Sequence, residues 1–174
     1  MEQARVHLRH CASMYREQLD RGDYFVHESP DQATSWAEPE IADLVNTPGI
    51  LRVKGPMCRF DMMTIGKGGE VGHVRTQTGW LTNSPEMART LGGACTNEDP
   101  NSGAPWHRHV TLEGGKNVAA AAICPPKLVS AILGGIKQQM RMGRAGGMRQ
   151  EGGWGSLGEQ YGGFRVLQTD FRDQ

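Results

Sequence analysis

Short apolar runs alternate with capped helices along the first half of the chain, and this alternation restricts the chain to few folds. The strand candidates are residues 24–26, 50–53 and 79–82, which are rich in branched or aromatic side chains. Strands that alternate with helices form layered α/β domains, whose sheets are mostly parallel. We therefore expect an α/β fold with a small, mostly parallel sheet of about three to four strands, flanked by helices.

Four segments carry the signals of helices. Residues 4–21 repeat apolar side chains at helical spacing. Ser35 and Glu38 form the capping-box pattern, which predicts that a second helix begins at Ser35. Ser84 precedes a proline, a favourable start for a third helix. The clearest apolar stripe follows the two prolines at 125–126 and predicts the last helix.

Residues 1–142 are expected to form this domain, and residues 143–174 a Gly-rich flexible tail. The chain has 24 glycines among 174 residues, and the tail contains the run GRAGGMRQEGGWGSLGEQYGG. Such a segment buries too little apolar surface to offset its ordering entropy, which predicts disorder. Within it, FRVLQTDF at 164–171 has the composition of an edge strand.

Charge and cysteine content exclude several functional classes. Lys and Arg total 19 and so do Asp and Glu, so no strong overall attraction to nucleic acid is expected. No apolar stretch has the length of a signal peptide or a membrane span, so no membrane partner is expected. The four cysteines form no C-x-x-C pair, which favours reduced thiols in an intracellular chain, cytoplasmic or nuclear.

The sequence HESP, residues 27–30, follows the first strand candidate. At the carboxyl end of a parallel strand, side chains face the crevice where ligands bind. Glu28 is therefore a candidate catalytic acid or base. The alternative is an ordinary polar strand end followed by a turn.

A polar loop, ACTNEDPNSGAPWHR at 94–108, holds a candidate metal site. His107 and His109 are two residues apart in an extended segment, so they would point the same way and share a metal with Cys95. Zinc is the metal that this set would bind. Zinc sites usually show two close ligand pairs and only one is present here, so a phosphate-contacting patch and a solvated loop remain alternatives.

Basic side chains at several positions could contact phosphate. Arg59 follows the second strand candidate, where a guanidinium can hold a phosphate or carboxylate through two hydrogen bonds. Its neighbour Cys58 is either a nucleophile or, as is commoner for a cysteine in such a context, a small buried apolar residue. The predicted nucleic-acid contacts are Arg59, His107, Arg108, Lys137, Arg141 and Arg144.

The order of these motifs resembles that of a known group of proteins. The sequences YFVHESP, SWAEPE, CRF, TGWLTNSPE, a C…HRH loop and PPKLVSAILGGI follow one another between about residues 5 and 140. This succession resembles domains embedded in the polyproteins of copia-like retrotransposons. More distantly, it is similar to the C-terminal half of phage-type cytosine DNA methyltransferases. The resemblance implies a methyltransferase-like fold in contact with nucleic acid.

The resemblance also implies roles for individual residues. Glu28 matches the acid that contacts the target base, and Thr82-Asn83 matches a later Thr-Asn pair, which adds Asn83 to the nucleic-acid contacts. Ser29 stands where the enzymes prefer Asn, and Asp61 stands where they have Gly. The chain has no glycine-rich turn for S-adenosylmethionine and no Pro-Cys nucleophile motif.

We therefore expect a non-catalytic or degenerate, retroelement-derived domain with at most weak nucleic-acid binding and no cofactor. The alternative is an α/β transferase or hydrolase that uses Glu28, with a metal at Cys95, His107 and His109. An interaction module for a protein partner is a third hypothesis, which no motif tests.

Overall fold

A computed structural model of the chain describes residues 2–98, 101, 103–111, 124–143 and 166–168. The helices in these ranges are α1 (Glu2–Asp20), α2 (Pro39–Val45), α3 (Pro85–Leu91) and α4 (Pro126–Met142). The strands are β1 (Val26–Pro30), β2 (Leu51–Pro56), β3 (Met63–Ile65), β4 (Val71–Val74), β5 (Gln77–Thr82), β6 (His109–Val110) and β7 (Val166–Gln168). Short 3₁₀ turns cover Thr34–Ala37, Met57–Phe60 and Thr96–Glu98.

Two predicted helix starts have different outcomes. At α3 the Ser84 hydroxyl accepts a hydrogen bond from the backbone N–H of Met87 at 3.2 Å, as its capping signal predicts. Ser35 instead lies in a 3₁₀ turn, and α2 begins at Pro39. The reason is Glu38, which precedes a proline and is therefore held in the extended conformation, so no helix can run through it.

The prediction of a mostly parallel sheet is wrong. In the larger sheet, with strand order β2-β5-β1-β7, β5 is antiparallel to both of its neighbours. Strands β1 and β2 do run in the same direction, on either side of β5. However, β5 enters between them from the opposite direction. The short β7, inside the segment predicted as an edge strand, pairs parallel with β1.

A second sheet, which the sequence did not predict, has the order β3-β4-β6. Strands β3 and β4 form an antiparallel hairpin in a polar, glycine-rich stretch of the sequence. The two-residue strand β6 pairs parallel with β4, placing His73 opposite His109. This small sheet therefore brings the polar loop at 94–108 against the hairpin.

Helices cover both faces of the larger sheet. On one face, side chains of α1 and α2 pack on Phe25 and Leu81. On the other face, side chains of α3 and α4 pack on Val26 and Trp80. Because neighbouring residues of a strand point to opposite faces, these two pairs of adjacent residues serve different cores. The domain is therefore an α/β domain with three layers.

Two further predictions concern the Gly-rich tail and membrane-spanning segments. Of the Gly-rich tail predicted over residues 143–174, all but residue 143 and β7 lie outside the described residues. None of the helices in the described part of the chain combines the length and the apolar character needed to cross a bilayer.

Candidate metal centre

Four potential metal ligands from distant parts of the chain meet beside the small sheet. Their ligand atoms, two thiol sulfurs and two imidazole nitrogens, all lie within 4.8 Å of one another. Both cysteines are buried and both histidines are partly buried. We call this group the metal cluster, and its members are Cys58, Cys95, His107 and His109.

Local structure explains how each ligand reaches the cluster. Cys58 lies in the 3₁₀ turn Met57–Phe60, which follows directly on β2 and ends at a left-handed residue, Asp61. Cys95 lies between the end of α3 and the 3₁₀ turn Thr96–Glu98. His107 and His109 lie on the extended approach to β6 and in β6 itself, so side chains two apart share one side.

The separations between ligand atoms fit a tetrahedral metal site. The Cys95 sulfur is 3.5 Å from Nε2 of His107 and 3.4 Å from Nε2 of His109. The two Nε2 atoms are 3.0 Å apart. In tetrahedral zinc sites, bonds of about 2.3 Å to sulfur and about 2.0–2.1 Å to nitrogen place ligand atoms about 3.3–3.8 Å apart. The cluster therefore needs only small side-chain movements to surround an ion.

Asn97 holds two of the ligands in register. Its backbone N–H donates to the Cys95 sulfur at 3.4 Å. Its side-chain amide donates to the carbonyl of His107 at 2.7 Å and accepts from the N–H of His107 at 3.0 Å. The polar loop is thus fixed to the histidine strand through one residue.

A second polar layer flanks the cluster. The His73 ring lies against the His107 ring, with centroids 4.4 Å apart. Nε2 of His73 is 3.5 Å from Oδ1 of Asp61, and the other carboxylate oxygen contacts the Lys127 ammonium at the start of α4. The Lys127 ammonium is the main cause that lowers the pKa of Asp61. The cluster is therefore connected to α4 through charged side chains.

The environment of the cluster favours neutral ligands. Burial, and then the neighbouring Cys95, raise the pKa of the Cys58 thiol to about 12. Burial and nearby cationic groups lower the pKa of both His107 and His109. A dication at this site would reverse the balance for the thiols, because metal ligation favours the thiolate and releases a proton.

Glu28 has no part in the metal cluster. It lies in the middle of β1, opposite Trp80 of β5, and is partly buried. The pKa of the Cys124 thiol is raised by burial and, to a smaller extent, by the negative charge of Glu28. The predicted role of Glu28 depended on the end of a parallel sheet, whereas β1 pairs over its whole length with the antiparallel β5.

Two predicted nucleic-acid residues make internal contacts. Nη1 of Arg59 donates to the carbonyls of Leu91 and Gly92, at 3.2 and 2.6 Å, at the C-terminal end of α3. Asn83 is buried, accepts from the N–H of Phe25 at 3.0 Å and donates to the carbonyl of Asp23 at 2.8 Å. Both side chains therefore satisfy backbone groups.

The remaining predicted contacts are spread over the surface. Arg108 is exposed between the two histidine ligands. Lys137 and Arg141 are exposed near the C-terminal end of α4. Because a helix rises about 1.5 Å per residue, Arg141 is about 20 Å along α4 from Lys127, whose end of the helix flanks the cluster. Arg144 lies outside the described residues.

Cys58 is the ligand that sequence reasoning did not assign. The predicted metal set of Cys95, His107 and His109 is brought together, but Cys58 was interpreted as a buried apolar residue or a nucleophile. The two histidines, His107 and His109, were the feature of the sequence that indicated a metal site. A spacing of 36 intervening residues between the two cysteines carries no comparable signal.

Comparison of the chain with protein-family models, with curated proteins and with solved structures found no match.

Proposed function

We propose that this chain is a non-catalytic α/β domain in which one structural zinc ion, bound by the metal cluster, holds the small sheet in place. The observation that carries the proposal is the convergence of four ligand atoms within 4.8 Å of one another. The ligands come from after β2, after α3 and from β6, so an ion at this point would join the two sheets. Structural zinc sites contribute their binding free energy directly to folding.

The number of ligands supports a structural role over a catalytic one. Catalytic zinc sites keep one position for water or substrate and use three protein ligands, whereas structural sites are closed by four. The cluster offers two thiols and two imidazoles, a complete set. The alternative of a hydrolase or transferase using Glu28 needs an open position and a nearby acid, and neither belongs to this cluster.

The types of ligand support zinc in particular. Thiolate and imidazole ligands at tetrahedral spacing suit Zn²⁺, whereas Mg²⁺ and Ca²⁺ prefer oxygen ligands in six- to eight-fold geometry. Two thiolates also leave the zinc-bound cluster without net charge, which suits its buried position.

Metal analysis and cobalt substitution test the proposal. The full chain, purified without chelator, is expected to contain one zinc ion, measured by atomic emission. Replacement of zinc by Co²⁺ is expected to give the strong visible bands of tetrahedral cobalt and near-ultraviolet thiolate bands. Cys58→Ser is expected to abolish stoichiometric binding, because it leaves only three strong ligands.

Cys124→Ser is the matched control, because this thiol lies outside the cluster and its loss should leave both metal content and spectrum unchanged. Absence of metal from a folded chain at saturating zinc would contradict the proposal. A spectrum of octahedral cobalt, or a Cys58→Ser variant that binds as tightly as the wild type, would exclude the four-ligand site.

We also propose that the domain is a degenerate relative of the retroelement-encoded, methyltransferase-like domains that its motif order resembles. The support is the succession of motifs, together with the lack of a methyl-donor turn in the chain. The flanking sequence of the full transcript tests this origin. A neighbouring integrase, polymerase or donor-binding half supports it, and an unrelated host gene on both sides contradicts it.

A further inference from the structure

The segment that carries the histidine ligands also presents an aromatic side chain to solvent. Trp106 is 75% exposed, the largest exposed fraction among the large apolar side chains of the described residues. It directly precedes His107. No other exposed large apolar side chain is found between residues 103 and 111. An exposed indole offers a partner a large flat aromatic surface.

Trp106 and Arg108 lie on the side of the segment opposite the metal cluster. His107 and His109 both contact Cys95, so their side chains share one side. In an extended chain the intervening residues point to the other side. Arg108 is exposed, and its Cγ lies over Gly72 of the small sheet. The side chains of Trp106 and Arg108 are both exposed, one on either side of His107 in the sequence.

The backbone beneath these two side chains is fixed. The N–H and carbonyl of His107 both bond to the Asn97 side chain, and the carbonyl of Arg108 accepts from the N–H of His73 at 2.8 Å. A bound zinc would fix the segment further through both histidines. A rigid, exposed aromatic side chain loses little conformational entropy when a flat partner stacks on it.

The charge beside the indole selects the class of partner. Among the residues that the structure describes, none forms an ion pair with the Arg108 guanidinium. The guanidinium of Arg75, by contrast, is paired with Glu98. The Arg108 side chain is exposed and carries a positive charge that an anionic ligand can approach.

We propose that Trp106 and Arg108 bind single-stranded nucleic acid, with an unpaired base stacked on the indole and a neighbouring phosphate on the guanidinium. This goes beyond the proposed structural zinc site. Stacking of bases on aromatic side chains together with basic contacts to the backbone is the general mode of single-strand binding. A duplex hides its base faces and cannot use the indole, so the site selects unpaired strands.

Fluorescence anisotropy of labelled oligonucleotides tests the proposal on the zinc-loaded full chain. The probes are single-stranded DNA, single-stranded RNA and a DNA duplex, all of one length, titrated over a salt series beginning at low salt. Single strands are expected to bind more tightly than the duplex. Trp106→Ala should weaken single-strand binding about 10-fold or more, and Trp106→Phe should retain most of it.

Arg108→Ala is expected to weaken binding and to reduce the slope of log affinity against log salt by about 0.7, the value for one phosphate contact on a single strand. Arg141→Ala is the matched control, because it removes an exposed arginine near the far end of α4 and should leave affinity unchanged. Zinc content and circular dichroism of every variant establish that it is folded and loaded.

Several outcomes would overturn the proposal. These are no binding at the lowest salt, equal affinity for duplex and single strand, or a Trp106→Ala variant that binds like the wild type. Inorganic polyphosphate that competes as well as the oligonucleotide would show that charge alone is recognised. Because zinc content is measured in the same samples, failure here is distinguishable from failure of the zinc proposal.

Discussion

At the scale of single residues, the apolar core contains two polar side chains in contact, those of Tyr15 and His27. His27 is fully buried, and its Nδ1 lies 3.1 Å from the Tyr15 hydroxyl. Its Nε2 is buried and has no hydrogen-bond partner among the described residues. Burial, and then the charge of His7, lower the pKa of His27 to about 4. The folded domain therefore requires this imidazole to be neutral.

Because of His27, the domain is expected to become less stable as the pH is lowered. Its unfolded pKa is about 6.5, so between pH 6.5 and the folded value of about 4 the unfolded chain binds more protons. The free energy of unfolding therefore decreases as the pH is lowered through this range, by up to about 3 kcal/mol. Urea unfolding at a series of pH values measures it.

His27→Gln removes the titration, so its stability relative to wild type should improve as the pH falls. His10→Gln replaces an exposed histidine and should follow the wild-type profile. Metal ligands titrate in both proteins, so their contribution cancels in the comparison. Parallel profiles for wild type and His27→Gln would contradict this role for His27.

Site residues could be predicted from the sequence where a local pattern indicates them. His107 and His109 were assigned because two residues of spacing in an extended segment fix their relative direction. Cys58 could not be assigned, because its partners lie 37 or more positions away and only the folded chain brings them together. The side chains of Arg59 and Asn83 are of types that often contact ligands. In the folded chain, however, they form hydrogen bonds with backbone groups, Arg59 at the end of α3 and Asn83 just before β1.

At the scale of elements, β2 and α3 approach so closely that a glycine is required between them. A Cβ atom at Gly55 would lie 2.5 Å from the carbonyl oxygen of Leu91 and 3.3 Å from Nη1 of Arg59. That oxygen belongs to the backbone at the end of α3 and is itself bonded by Arg59. The strand and the helix end therefore form one rigid contact.

Gly55→Ala is expected to destabilise the domain by about 1–3 kcal/mol, because the strand must move away from the helix end. Gly134→Ala is the matched control. Its added Cβ meets nothing within 4 Å on the exposed side of α4, so it should stabilise the helix by about 0.5–1 kcal/mol. Urea unfolding compares the two. Equal stability of Gly55→Ala and wild type would show that the contact is not rigid.

The elements themselves were largely predictable, because caps and periodicity are local. The start of α3 at Ser84 and the apolar stripe of α4 follow the sequence signals. The hairpin β3–β4 could not be distinguished from a loop, since its strands are only three and four residues long. Short strands depend on their partners rather than on their own composition.

At the scale of the whole molecule, the two sheets differ in what stabilises them. Both apolar clusters of the core belong to the larger sheet and its four helices. Among the described residues, no side chain of β3, β4 or β6 belongs to either cluster. The small sheet therefore depends on its backbone hydrogen bonds, on a few buried side chains such as Val74 and Val110, and on the metal cluster.

Removal of zinc is expected to loosen the small sheet selectively. Hydrogen–deuterium exchange before and after treatment with excess chelator should show lost protection in β3, β4 and β6, whereas β1, β2 and β5 should keep most of theirs. Addition of zinc should restore protection. Chelator should have no effect on Cys58→Ser. Uniform loss of protection across both sheets would show that the ion stabilises the entire domain.

The predicted fold, with a mostly parallel sheet, was wrong in the direction of its strands. Helices on both faces of a sheet follow from the alternating pattern, and α/β character is confirmed. Strands β1 and β2 run in the same direction, but the strand between them is antiparallel to both. The antiparallel arrangement arises because β5, which follows the β3–β4 hairpin in the chain, lies between β1 and β2. This pairing joins residues far apart in the sequence, so local patterns do not specify it.

The order in which the ligands occur along the chain has a consequence for synthesis. Cys58 leaves the ribosome first, and about fifty residues must follow before His109 completes the set, which takes about 3–10 s at ordinary translation rates. The larger sheet has all three of its antiparallel strands well before that. The proposed zinc ion can therefore be bound by all four ligands only after β1, β2 and β5 have been made, whereas α4, which completes the second core, is still to follow.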